Sequence, residues 1–165
     1  MKKNLISFVC MALFVIMSVG AMAQQKGDMA VGGHLAFGTG ESYSNMGVGA
    51  RFQWNAADKI RLEPSFTFFL KKDFVSMWDI SANVHYLFPM SDKLILYPSA
   101  GIGMMGVTVD ILGLTTYSSS EVNLNVGGGV EFRLTEALSL IGELKYNIAG
   151  NWNHATLFAG VAYRF

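Results

Sequence analysis

The chain has 165 residues, 52% of them hydrophobic, and a formal net charge of zero. This length suits one domain with a core of ordinary size, and the absence of a basic excess gives no indication of nucleic-acid binding. Cysteine occurs once, at Cys10, so a disulfide within the chain is excluded.

The first segment differs in character from the rest. Two lysines precede a charge-free run from Leu5 to Ala23, which closes on Ala-Met-Ala. This arrangement is typical of a cleaved secretory signal, although a run of that length could also just span a bilayer as a helix. We predict a signal peptide at 1–23 and a single domain at 24–165. Cleavage would also remove Cys10.

From Gln24 onward, large apolar residues alternate with small or polar ones, which is the period of a β-strand. The alternation predicts eight strands, near 28–38, 45–54, 59–70, 74–88, 93–106, 120–133, 137–148 and 154–165. Each has about the length that a tilted membrane-spanning strand requires, roughly 9 to 11 residues.

The connections between these strands alternate in length. Compact turns are predicted at 55–58, 89–92 and 134–136, and longer polar or glycine-bearing loops at 38–44, 107–120 and 149–154. The connection at 71–73 lies on the same rim as these longer loops but is short. The pattern predicts an all-β fold, an eight-stranded antiparallel up-and-down transmembrane β-barrel with one tight rim and one extended rim.

The two faces of the predicted strands differ in chemistry. One face is apolar and carries no charge. The opposite face carries five basic and four acidic residues, which form a predicted lumen charge network: Arg51, Arg61, Glu63, Asp79, Glu131, Arg133, Glu143, Lys145 and Arg164. The apolar face is too bulky for the narrow interior of eight strands, so we expect it outside, against lipid. A soluble barrel with the faces inverted is the alternative.

Aromatic residues end all four strands that run toward the tight rim, in the outward phase. They are Trp54, Phe88, Phe132 and Phe165. Aromatic side chains at that height form the interfacial girdle of membrane barrels.

With its signal, eight strands, short turns and final Tyr163-Arg164-Phe165, the sequence resembles the small outer-membrane β-barrel family of Gram-negative bacteria, the OmpA/OmpX-like group. The resemblance implies an outer-membrane location, contact with outer-membrane lipid and lipopolysaccharide, and insertion by the barrel-assembly machinery. In that family the C-terminal aromatic pattern is part of the insertion signal, so Tyr163 and Phe165 would carry that role.

A G-x-G-x-x-G pattern at 101–106 invites a dinucleotide-binding interpretation. That fingerprint requires a helix to start there, whereas the following residues 107–110 are strand-like. We therefore expect no cofactor. We interpret the glycines as inward-facing positions whose lack of a side chain leaves room in the lumen for side chains from other strands.

The histidines raise the possibility of a metal site or catalysis. His34 and His85 lie on inward faces of distant strands, and no cysteine or carboxylate pair is predicted to complete a zinc set, so no metal is expected. His154-Ala155-Thr156 is similar to the His-x-Ser spacing of barrel-type lipid A deacylases. Threonine replaces serine there, and a solvated rim position is the simpler interpretation. No catalytic residue is predicted.

The segment 107–120 is the most informative exposed connection. Its alternation predicts a hairpin projecting beyond the membrane, with an edge that could pair with a partner; a mobile, lipopolysaccharide-covered loop is the alternative. Its candidate interaction residues are Val109, Ile111, Leu112, Leu114 and Tyr117. The sequence thus indicates a structural or surface-interaction protein supporting envelope integrity or adhesion, with a narrow porin or a lipid A-modifying enzyme as alternatives.

Overall fold

The computed structural model describes residues 26–40, 44–72, 75–111, 115–150 and 153–165. The predicted signal at 1–23 lies outside the described residues. Within these ranges the strands are β1 (Met29–Gly40), β2 (Ser44–Ala57), β3 (Ile60–Lys72), β4 (Val75–Tyr86), β5 (Phe88–Pro89), β6 (Leu94–Ile111), β7 (Thr115–Arg133), β8 (Leu138–Ile148) and β9 (His154–Arg164). In the described part of the chain, no helix is long and apolar enough to cross a membrane.

The strands form one antiparallel sheet that closes on itself. β1 pairs with β2 on one side and with β9 on the other, and the far edges meet where β4 pairs with β6. β5 resumes β4 after Leu87 for two residues and also pairs with β6. The described strands therefore make an eight-stranded barrel, which confirms the predicted fold class.

The largest difference from the predicted strand bounds lies at the extended rim. β6 continues to Ile111 and β7 begins at Thr115, well inside the segment predicted as a connection. Their backbones stay paired from Gly106↔Ser120 to Ile111↔Thr115. The alternating valines of this segment have a high β propensity, and pairing continues where both arms keep that alternation.

Exposure alternates residue by residue along the strands. On β2, Arg51 and Gln53 are 2% and 3% exposed, whereas Phe52 and Trp54 are 38% and 41% exposed. Apolar side chains of the other strands lie on the same outer face as Phe52. The apolar face is therefore outside and the polar face inside, as in a membrane barrel and opposite to a soluble one.

Compact turns close the tight rim at the predicted places. The Leu134 N–H donates to the Leu138 carbonyl at 2.9 Å, and the Met90 N–H donates to the Leu94 carbonyl at 2.8 Å. Ala57 pairs directly with Ile60 across the first of these turns.

The four outward aromatics of the predicted girdle all belong to this rim. Trp54, Phe132 and Phe165 are exposed. Phe88 is half-buried, because its ring contacts the Tyr86 ring at a centroid distance of 4.8 Å. Tyr163 is exposed on the same outer face as Phe165.

One part of the glycine interpretation is wrong. Gly101 and Gly103 do face the lumen, where a Cβ would meet Asn83 Oδ1 at 2.5 Å and Ser81 Oγ at 2.8 Å respectively. Gly106 instead faces lipid and is covered by the ring of its paired residue Trp78. Because Gly106 is an odd number of residues from Gly103, it must lie on the opposite face of the strand.

The barrel interior contains two apolar layers that flank its polar middle. The layer near the tight rim consists of Ala30, Leu87, Ile95, Tyr97, Ile141 and Ala162. The layer near the extended rim consists of Ala36, Phe69, Met77, Met105, Val107 and Phe158. The charged side chains in the middle of the lumen are thus enclosed between apolar layers, which strengthens the electrostatic interactions among them.

Candidate functional site

Four charges meet in the middle of the lumen. Arg51 Nη1 lies 3.3 Å from Glu63 Oε2 and 3.0 Å from Glu143 Oε2. Lys145 Nζ lies 3.4 Å from Glu143 Oε1 and 3.8 Å from Glu63 Oε1. Each carboxylate is shared by both cations, so the cluster is balanced. All four side chains are at most 4% exposed, and isolated charges at that depth would be costly.

Neutral donors and aromatic rings complete this central cluster. Gln53 Nε2 donates to Glu63 at 2.8 Å, and Ser99 Oγ donates to Glu143 at 3.4 Å. The Phe158 ring lies 5.0 Å from Lys145 Nζ, in a cation–π arrangement. The sequence prediction did not include these partners, although they share the inward phase of the charged residues.

A second network lies nearer the tight rim. Glu131 receives Arg61 Nη2 at 2.7 Å, Arg164 Nη2 at 3.5 Å and the Ser139 hydroxyl at 2.9 Å. Arg164 Nε also lies 3.9 Å from Asp28 Oδ2. Arg133 ends β7 on the same inner face. The predicted network is therefore divided into two groups rather than forming one chain of charges.

Asp79 belongs to neither group and lies toward the extended rim. It accepts hydrogen bonds from Ser81 Oγ and, at 3.2 Å, from Asn123 Nδ2. His154 is also in the lumen: its Nε2 lies 2.9 Å from Asn147 Nδ2. His154 and Thr156 are 3% and 1% exposed, so the expectation that they lie solvated on the rim is wrong.

The prediction that no carboxylate pair accompanies a histidine is also wrong. His85 Nε2 lies 3.8 Å from both Glu63 Oε1 and Glu143 Oε1, a grouping with the residue types of a metal site. The same two oxygens, however, face Lys145, and Arg51 balances the remaining negative charge. A divalent cation would add two uncompensated buried charges, so the charge balance disfavours metal binding.

Glycines let large side chains enter the lumen. His34 lies against Gly49 and Gly160 on the two neighbouring strands, where added Cβ atoms would overlap it. Its Nδ1 accepts from Arg51 Nε at 3.3 Å. Tyr97 lies against Gly129, where a Cβ would be 2.5 Å from its hydroxyl. The small residues of one strand therefore accommodate the bulky residues of the next.

Little free space separates these packed layers. A cavity beside Arg61 and Glu131 and another beside Lys145 and His154 have volumes of about 10 Å³ each. Each has room for about one water molecule. The central cluster of Arg51, Glu63 and Glu143 lies between them.

At the extended rim, β6 and β7 continue as a hairpin with two unequal edges. β4 covers the β6 edge up to Val109, which pairs with Val75. On the other edge, β8 pairing begins only at Leu124. Among the described residues, Thr115 to Asn123 therefore pairs with β6 but has no partner strand on its other side.

Three of the five predicted interaction residues lie on that hairpin. Val109 and Ile111 belong to β6, and Tyr117 belongs to β7. Leu112 and Leu114 lie outside the described residues. The glycine pattern at 101–106 is in the middle of β6, so no helix begins there and the dinucleotide interpretation fails.

A closed barrel that is apolar outside, carries an aromatic rim and has a charge-filled lumen defines a small outer-membrane barrel protein. The model of the outer membrane protein beta-barrel domain matches residues 9–165, and the chain belongs to that family. The protein is therefore a component of the outer membrane. No curated protein matches the sequence.

Solved structures of similar fold support this assignment. Ail, the attachment invasion locus protein of Yersinia pestis, is 18% identical, with 86% of this chain and 100% of Ail covered and a TM-score of 0.63. The N-terminal β-barrel domain of Pseudomonas aeruginosa OprF is 19% identical, with 86% and 100% covered and a TM-score of 0.69. Neisserial surface protein A is 19% identical, with 84% and 96% covered and a TM-score of 0.66. At these identities the structures show the fold.

Proposed function

We propose that this barrel is a non-enzymatic surface-interaction protein whose β6–β7 hairpin binds an extended segment of a partner protein. The observation that carries the proposal is the β7 edge from Thr115 to Asn123, which lacks a second partner strand among the described residues. In such an edge, the N–H and C=O groups of every second residue point away from the existing ladder. An added strand can pair with those groups.

The location of the edge suits this role. The longer connections of outer-membrane barrels face the cell exterior, and the hairpin is on that rim. Ser118, Ser119, Ser120 and Glu121 are exposed on it. Their small or hydrophilic side chains make the edge compatible with water, and Glu121 lies beside Gly150 of the β8–β9 connection.

The charge of the hairpin favours backbone pairing over recognition of a polyanion. Ail has been solved with the heparin analogue sucrose octasulfate. In the present chain, residues 107–125 contain Asp110 and Glu121 and no lysine or arginine. A sulfated sugar would meet no cation on this segment, whereas strand addition requires none.

Binding to an unfolded protein tests the proposal directly. Reduced, carboxymethylated lactalbumin, which supplies extended segments, is passed over proteoliposomes containing the barrel. We expect saturable binding that Ser120→Lys weakens at least tenfold, because lysine on an edge opposes strand addition. Thr135→Lys, an exposed change at the opposite rim, is the control. Equal binding by Ser120→Lys and the unchanged protein would contradict the proposal.

The porin alternative makes a different prediction. The balanced central cluster and the two cavities of about 10 Å³ favour a closed lumen. We expect planar bilayers containing the purified barrel to show no steady openings. Discrete, long-lived conductance steps would support the channel function instead.

The lipid-hydrolase alternative can be tested at His154. Its buried position in the lumen separates it from lipid head groups at the rim. We expect His154→Ala to leave the lipid A composition of cells unchanged. A loss of deacylated lipid A in that variant would show that the protein is an enzyme.

A further inference from the structure

The hydrogen bonds at the base of β7 fix the side to which each of its residues directs its backbone N–H and C=O groups. The Arg133 N–H donates to the Lys93 carbonyl, on the β6 side, and the Leu134 N–H donates to the Leu138 carbonyl, on the β8 side. Successive residues of an antiparallel strand direct these groups to opposite sides. The register of β7 with β6 runs without a shift from end to end. Even-numbered residues of β7 therefore direct their backbone groups away from β6.

Three residues on the free part of β7 carry such outward backbone groups: Thr116, Ser118 and Ser120. Pairing with β8 begins only at Leu124, so no described strand meets them. β8 itself ends at Ile148, and the chain turns away at Gly150, whose φ is +49°. An added segment therefore has room opposite residues 116–121, above this turn.

Glu121 determines the charge at the lower end of this edge. Its side chain is exposed and lies on the same face of β7 as that of the lumen residue Asn123, two positions along. In the part of the chain that the structure describes, Glu121 forms no ion pair. The other acid of the hairpin, Asp110, is on β6, so β7 separates it from the free edge. A strand added beside β7 would therefore meet one uncompensated negative charge, at Glu121.

We propose that the segment bound by this edge runs antiparallel to β7 and carries a lysine or arginine opposite Glu121, near its own N-terminal end. The inference rests on the proposed function and specifies the partner. An antiparallel segment continues the line and direction of β8 beyond Ile148. Its N-terminal part then lies beside Glu121, because β7 runs from the hairpin tip toward that residue. Directly opposed side chains of such a pair share one face, where opposite charges attract and like charges repel.

Synthetic peptides test the inference on the folded barrel in detergent micelles. The probe is acetyl-KTVTVT-amide; the comparison peptides are acetyl-ETVTVT-amide and acetyl-VTVTKT-amide, in which the lysine is near the C-terminus. Strand addition is detected by NMR as slower hydrogen exchange of the Ser118 and Ser120 amides, with Ser119, whose N–H faces β6, as the internal reference. At low ionic strength we expect the probe to bind about fivefold more tightly than either comparison peptide. Salt should reduce this difference, because the charges are exposed.

Two charge reversals separate the role of Glu121 from that of the edge. In Glu121→Lys the preference should invert, so that the glutamate peptide binds most tightly. Glu136→Lys, an exposed reversal at the opposite rim, should leave all three affinities unchanged. Slower exchange of Ser118 and Ser120 with equal affinity for all peptides, or tighter binding of acetyl-VTVTKT-amide, would overturn this inference and leave strand addition intact. Unchanged exchange with every peptide would instead contradict strand addition, and the proposed function with it.

Discussion

Neutralising one carboxylate of the central cluster should destabilise the barrel strongly. Glu143→Gln preserves the shape of the side chain but removes the negative charge that lies 3.0 Å from Arg51 Nη1 and 3.4 Å from Lys145 Nζ. Glu63 would then face two buried cations alone. Removing one member of a buried ion pair costs about 3 to 5 kcal/mol, and we expect a loss in that range.

A second substitution should recover part of that loss. Lys145→Met removes the cation left without compensation, and its methylene chain can still contact the Phe158 ring. In the double variant, Arg51 and Glu63 remain as a balanced pair at 3.3 Å. We expect the two substitutions to be coupled by about 0.5 to 3 kcal/mol, the usual range for residues in one network.

Equilibrium unfolding in urea, with the protein in phospholipid vesicles, measures these free energies. The folded fraction is obtained from the mobility of unboiled samples on gels and from tryptophan fluorescence. Asp58→Asn, in an exposed turn, is the control and should change stability by no more than about 0.5 kcal/mol. A loss below about 1 kcal/mol for Glu143→Gln, or strictly additive effects in the double variant, would refute the idea that these four charges act as a unit.

Two further substitutions test packing on the two faces of the barrel. Gly129→Ala should cost about 1 to 3 kcal/mol, because its Cβ would lie 2.5 Å from the Tyr97 hydroxyl oxygen, whereas Gly142→Ala, which faces lipid, should cost nothing measurable. Equal unfolding curves for both alanine variants would contradict the packing argument. Leu144→Arg, on the lipid face, should cost about 2 to 4 kcal/mol and Leu134→Arg, at the rim, about 1 kcal/mol or less. Equal losses at both depths would show that the outer face is not in contact with the membrane interior.

The sequence predicts much of the fold because each strand obeys a period of two. Arg51 and Gln53 are inward and Phe52 and Trp54 outward simply because successive side chains point to opposite faces. The same rule would have placed Gly106 correctly, since parity separates it from Gly103. Phe69 and Phe158 face the lumen, and the alternation along their strands places them on the same side as the charged residues. Their hydrophobicity alone would have suggested the outer, lipid-facing side.

The contacts within the lumen could not be predicted in this way. Glu63 and Glu143 are on β3 and β8, and only barrel closure and strand register bring both within 3.8 Å of His85. The free edge of β7 likewise depends on where β8 begins to pair, at Leu124.

The sequence by itself determined the strand number, the faces of the strands and the outward aromatics of the tight rim, because alternation and turn chemistry are local properties. Only the tertiary structure decided which inward charges meet, how glycines accommodate His34 and Tyr97, and which backbone edge stays open. Those features depend on register and closure, which join residues far apart in the chain. A one-residue slip of a single strand would reverse its faces and abolish them.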